Sequence, residues 1–147
     1  MLEPDVRRRL QTARVARLAT ADEAGRPHVV PVCFALVEAI GDEADWGIVT
    51  PIDEKPKRGS PASLRRSRDI RSNPTVSLLV DEYTEDWSEL GWMQVRGRAT
   101  LLEPGAEGHA RAVSALEAKY DQYAEHDLDA RPVINVNPGS VLRWSAP

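Results

Sequence analysis

The chain holds one cysteine, one phenylalanine and two methionines in 147 residues, and aromatic residues make up 5%. A single cysteine excludes an intramolecular disulfide and fits a reducing compartment, so the expected location is the cytoplasm. No apolar run approaches the roughly 20 residues needed to span a bilayer. The opening "MLEPDVRRRL" lacks the apolar core of a signal peptide. Net positive charge is missing too: the formal charge is -4. That argues against general binding to DNA or acidic membranes, which calls for a basic field. His28, His109 and His126 stand at no metal-ligand spacing, so no metal is expected. Cys33 lies in an apolar run and reads as a core residue. Neither the G-x-G-x-x-G and G-x-x-x-x-G-K-[ST] phosphate loops nor the G-x-S-x-G and H-E-x-x-H catalytic motifs occur.

What remains is 41% hydrophobic and 29% charged, a composition that folds as one domain spanning 1–147. Residues 4–13 read as a helix: Glu3, Pro4 and Asp5 suit a first turn, and Leu2, Val6 and Leu10 form one apolar stripe. Strands are expected at 14–21, 28–39 and 46–50, joined by short loops into an antiparallel meander. Pro31 inside the second demands an edge, a bulge or a break. A helix over 63–72 and a strand over 75–81 follow. The run 92–102 places Met93, Val95, Gly97, Ala99 and Leu101 on one face. A helix near 106–124 precedes two short strands, 132–136 and 141–144, around the turn "NPG". This order has no parallel crossovers. It describes a mainly β protein: an antiparallel sheet closed or partly closed into a barrel, with peripheral helices.

Against the acidic balance, residues 53–74 collect seven of the 19 basic side chains: Lys55, Lys57, Arg58, Arg65, Arg66, Arg68 and Arg71. Two readings fit these residues. One is a solvated helix face. The other is an anion site, in which lysines and arginine forks beside a helix start would meet a phosphate. Downstream, "DEYTEDWSELGW" is acidic and carries Trp87 and Trp92, flat surfaces for packing or for a ring.

The series "RVARLATADEAGRPHVVPVCFAL", "TPIDEKPKR", "LRRSRDIRSNPTVSLLVDEYTEDW" and "VRGRATLL" resembles the pyridoxamine 5'-phosphate oxidase-like split β-barrel superfamily, of FMN-binding type. Within it the chain resembles the flavin/deazaflavin oxidoreductases of the B group, which use coenzyme F420. The resemblance runs from about Arg14 to Trp144 and rests on the series rather than on one motif. It implies a homodimer with the cofactor in a groove between two barrels, acting on a small-molecule substrate without nucleic acid or membrane. It implies phosphate ligands at Lys55, Lys57, Arg58, Arg66 and Arg68, and a ring or ribityl contact at Thr50. It also implies that Trp87 comes over the site from the second subunit. No catalytic residue follows from it. Many members carry Asn where this chain has Asp69, and a carboxylate there repels a phosphate unless Arg66 or Arg68 pairs with it. FMN is the alternative cofactor. A non-catalytic flavin-binding protein, or a barrel binding haem propionates, is the non-enzymatic alternative.

Overall fold

The chain begins with helix α1, Pro4–Thr12, whose first turn holds Pro4 and Asp5 as the sequence predicts and whose Val6 and Leu10 are buried. The structure, a computed structural model, describes residues 2–38, 46–52 and 64–147. Seven strands follow: β1 Ala16–Ala21, β2 Pro27–Val32, β3 Ala35–Glu38, β4 Trp46–Pro51, β5 Thr75–Glu82, β6 Gly91–Leu102 and β7 Val133–Ser145. Helix α2, Arg65–Ser72, precedes β5, and helix α3, His109–Lys119, lies between β6 and β7. All pairings are antiparallel, in the order β2-β1-β5-β6-β7-β4-β3. This is a split-barrel-like sheet that does not close.

The expected meander is only half present. β1 pairs with β2 and β3 with β4, yet β2 and β3 form opposite edges of the sheet. The apolar run breaks after Val32, and Cys33-Phe34 carries the chain from one edge to the other. Pro31 sits opposite Arg17 on an edge strand, where its missing N–H leaves no ladder bond unmade. The break has a distant cause. The Tyr120 hydroxyl accepts from the Phe34 N–H at 3.1 Å and lies 3.1 Å from the Phe34 carbonyl and 3.0 Å from that of Arg14. These bonds satisfy backbone groups that a continuous strand would have satisfied within its ladder.

Two further expectations change. The two short final strands are one 13-residue strand, β7, paired with β6 along its length and irregular at Arg96/Gly97. Pro138 and Gly139 are absorbed at that bulge, where Pro is tolerated. Gly97 is required there: a Cβ would lie 2.1 Å from the Asn137 carbonyl oxygen. The long helix over 106–124 ends at Lys119 and continues as a 3-10 turn, Asp121–Glu125.

Side chains fill two apolar cores. Leu10, Leu18, Phe34, Ile48, Leu78, Met93, Val95, Ile134 and Val136 pack inside the sheet. Ala35, Val37, Val49, Leu116, Tyr120 and Val133 pack between the other face of β3–β4 and α3. β4 contributes to both and is buried along its whole length. The outer face of β6–β7 is different. Trp92 pairs directly with Trp144, and both are exposed, as is Leu142 opposite Gln94.

Candidate functional site

The α2 helix divides its basic side chains by direction. Ser67, Asp69 and Ile70 face inward and are buried, while Arg68 is exposed. Asp69 is the residue that docks the helix. Its carboxylate accepts from the Thr20 hydroxyl of β1 at 2.8 Å and from Arg65 Nε at 3.0 Å. The partner is Arg65, one helical turn earlier, rather than Arg66 or Arg68. The inward carboxylate is aimed at β1, and its repulsion of an approaching anion is offset by Arg65. On the outer side, Arg71 stands 3.9 Å from Glu103. These are the contacts of a largely solvated face.

Arg66 points elsewhere. It lines a cavity of about 330 Å³ together with Val30, Val32, Cys33 and Thr50. Thr50 is fully buried at the end of β4, opposite Ile134, and its hydroxyl has no hydrogen-bond partner among the described residues. Arg66 Nε is likewise buried and has none among them. Buried donors are nearly always paired in native proteins, so two unpaired ones at one cavity mark a place where a polar ligand fits. The chain leaves this cavity wall at Pro51 and returns to it at Arg66. Lys55, Lys57 and Arg58 belong to the stretch between, which lies outside the described residues.

Not all of the expected ligands converge. Arg68 lines a second, more open cavity with Arg26, Arg65, Asp22 and Asp69. Residues 66 and 68 are about 200° apart around a helix, so they cannot face one ligand from the same side. In this second cavity Asp22 and Asp69 are each paired with an arginine, while Glu23 adds a further negative charge to the lining. A hydrogen bond from Arg26 holds the Asp22 carboxyl below its ordinary value. Trp87 sits on a 3-10 turn, Trp87–Glu89, and is 67% exposed. It does not line the Thr50–Arg66 cavity within one chain.

Cys33 is half-buried: it packs against the second apolar core, as its place in an apolar run suggests, and it also forms part of the cavity wall, which sequence reasoning missed. The signal available was Pro31, which announced a break two residues upstream. Behind the cavity, Lys119 is pushed down to about 8 by burial and then by the nearby Arg14 guanidinium, with Cys33 acting the other way. Its ammonium donates to the Leu10 carbonyl at 3.0 Å and lies 3.8 Å above the Phe34 ring. Burial also raises the Tyr120 phenol. Among the described residues no three His, Cys, Asp or Glu side chains converge to hold a metal ion. No helix among them is long and apolar enough to cross a membrane.

A seven-stranded antiparallel sheet of split-barrel type, with a polar-tipped cavity where β2 and β4 meet α2, defines the class of protein. Residues 2–145 match the family model described as pyridoxamine 5'-phosphate oxidase, and the chain belongs to that family. Solved structures share the fold. A conserved hypothetical protein of Mycobacterium tuberculosis matches with a TM-score of 0.73 at 18% identity, over 99% of this chain and 85% of its own. The haem-storage protein of Vibrio cholerae matches with a TM-score of 0.65 at 18% identity, over 98% of this chain and 94% of its own. A FAD-binding protein of Mesorhizobium loti matches with a TM-score of 0.60 at 26% identity, over 92% of this chain and 87% of its own. No curated protein matches the sequence.

Proposed function

We propose that this protein is an oxidoreductase that binds a flavin-type cofactor in the Thr50–Arg66 cavity and uses reduced coenzyme F420 for hydride transfer to a small organic substrate. The observation that carries the reading is the pair of buried, unpartnered polar groups, Thr50 Oγ1 and Arg66 Nε, at one cavity. A phosphorylated, polar-rimmed cofactor supplies what both lack. When bound, such a cofactor is a two-electron carrier whose ring passes hydride. This chain's part is to hold and enclose it. Arg66 meets the phosphate, with Lys55, Lys57 and Arg58 on the adjoining segment as further ligands. The Thr50 hydroxyl bonds the ring or ribityl part, and Val30 and Val32 keep water off one side. No general acid is assigned among the described lining residues, and in this reading the substrate proton is drawn from solvent.

FMN is the second reading, and the FAD-binding relative favours it. What leans toward F420 is charge: its acidic tail calls for more basic residues than one phosphate does, and Lys55, Lys57 and Arg58 stand beside Arg66 in the sequence for that role. Haem binding of the kind found in the Vibrio protein would need an axial ligand. Here His109 is buried with Nε2 at 2.7 Å from the Arg131 carbonyl, and His126 packs edge-on against Tyr123. Neither these nor His28 lines the cavity.

The working unit in this reading is a homodimer. The exposed Trp92–Trp144 pair and Leu142 form the apolar face that a second copy covers, and the second copy's Trp87 closes the cavity. A stable interface buries about 800 Å² per partner, which three such side chains and their surroundings can anchor.

Titrating the purified protein separately with F420, FMN and haem, by absorbance and tryptophan fluorescence, tests the cofactor. F420 is expected to bind tightest. Tight FMN binding without a response to F420 replaces the first reading by the second, and haem binding alone overturns both. Sedimentation should give a dimer, with Trp144→Glu shifting it to monomer.

A further inference from the structure

The one thiol of this chain stands on the wall of the proposed cofactor cavity. Its position is set by structure. Tyr120 grips both backbone groups of Phe34, the residue next to Cys33. The Cys33-Phe34 step therefore cannot relax back into a regular strand, which would alternate its side chains differently. A lone cysteine is usually inert packing. This one shares its cavity with the fully buried, unpartnered Thr50 hydroxyl, a separate sign that a ligand belongs there.

We propose that Cys33 is a redox-modification site that controls access to the cofactor cavity, its ligand being a low-molecular-weight disulfide. The Cys33 thiolate attacks one sulfur of the disulfide. A new S–S bond forms between Cys33 and that sulfur, and the old S–S bond breaks. The departing thiolate takes up the proton that Cys33 gave up. Cys33 is oxidised to the mixed disulfide, and one half of the reagent is reduced to thiol. A glutathionyl group, with about 20 non-hydrogen atoms, occupies most of a cavity near the lower end of ligand-pocket size, here about 330 Å³. The adduct and the cofactor then exclude each other. Because Cys33 is the sole thiol, no intramolecular disulfide can compete.

This inference rests on the cofactor reading above, and one experiment separates the two. The folded protein is incubated with oxidised glutathione, with and without saturating F420 or FMN, and followed by intact mass. Cofactor affinity is then measured before modification, after it, and after dithiothreitol. The expected result is one adduct per chain, formed about tenfold more slowly when cofactor is bound, and an affinity loss of about tenfold or more that dithiothreitol reverses. Cys33→Ser should take no adduct, and its cofactor affinity, whatever its starting value, should be the same before and after treatment with oxidised glutathione. If the unmodified protein binds neither cofactor, the cofactor reading falls and takes this inference with it. If it binds cofactor but the adduct binds equally well, or no adduct forms on folded protein while urea-unfolded protein is labelled, the inference alone is overturned. Loss of the folded circular dichroism signal on modification overturns it too, since the effect is then unfolding.

Discussion

Replacing Asp69 by alanine should unlatch α2 from the sheet, and the size of the effect can be worked from its contacts. Asp69 is 2% exposed. Its Oδ2 accepts from the Thr20 hydroxyl at 2.8 Å, and Thr20 is itself 3% exposed. With the carboxylate gone, that hydroxyl is stranded in the interior, at about 1–3 kcal/mol. The second contact, from Arg65 Nε at 3.0 Å, is worth less. The Arg65 side chain is 39% exposed, so water takes over much of the guanidinium and the pair contributes under about 1 kcal/mol. The total is about 2–3 kcal/mol, or a fall in Tm of roughly 5–10 °C for a chain of this size. Urea denaturation followed by tryptophan fluorescence reads it directly. Adding Thr20→Val to the alanine variant removes the stranded hydroxyl and should recover about 1 kcal/mol. Asp69→Asn keeps the shape and one acceptor and should fall between. Cofactor affinity should drop in step, because α2 also carries Arg66. An alanine variant within about 0.5 kcal/mol of wild type, or one that Thr20→Val does not rescue, would refute the reasoning.

Three other changes probe other parts of the fold. Gly97→Ala drives a Cβ to 2.1 Å from a backbone oxygen that cannot move aside, so the β6–β7 bulge should fail. Destabilisation of about 3 kcal/mol or more is expected in a urea melt, and a near-neutral variant would mean that the bulge is not there. Thr50→Val should do two opposite things: stabilise the cofactor-free protein by about 1 kcal/mol, by deleting an unpartnered buried hydroxyl, and weaken cofactor binding. Parallel loss of both in melts and titrations would contradict the assigned role. Lys119 titrates at about 8 in the folded chain against 10.5 for an unperturbed lysine. Below about 8 both states hold the proton and the burial penalty is fully present. Between those two values the unfolded chain binds a proton that the folded chain has shed, so stability rises with pH. The slope stays below about 1.4 kcal/mol per pH unit because the amine is half exposed. Urea midpoints should show the rise in wild type and its absence in Lys119→Met.

The sequence was most readable where local chemistry decides the outcome. Alternation along 92–102 marks β6, and Pro4 with Asp5 marks the start of α1. The turn after β1 is written in Asp22, which accepts from the Ala24 and Arg26 N–H groups, and in Gly25 at φ 82°. It was least readable where a distant residue decides. Pro138-Gly139 spells a turn locally, yet Gly97 on the partner strand lets β7 run straight through it. The Cys33-Phe34 break depends on Tyr120, 86 positions from Phe34. The site follows the same division. Arg65 and Asp69 are spaced for an ion pair along a helix, but what turns Asp69 inward is Thr20 on another strand. Composition singled out the basic segment without separating Arg66, which meets the cavity, from Arg68, which does not.

The step at Cys33-Phe34 also bears on how the molecule assembles. β1–β2 and β3–β4 join neighbouring stretches of chain, whereas the registers Leu18 to Leu78 and Thr50 to Ile134 join remote ones. Such long loops are entropically costly to close, and sheets that need them fold in milliseconds to seconds. The two local pairs are tied together by that step, so capturing one on β5 brings the other within a short search of β7. The step thus joins two strand pairs that flank β5–β6–β7 from opposite sides, and with them in place β2 supplies one wall of the cavity and β4 the other.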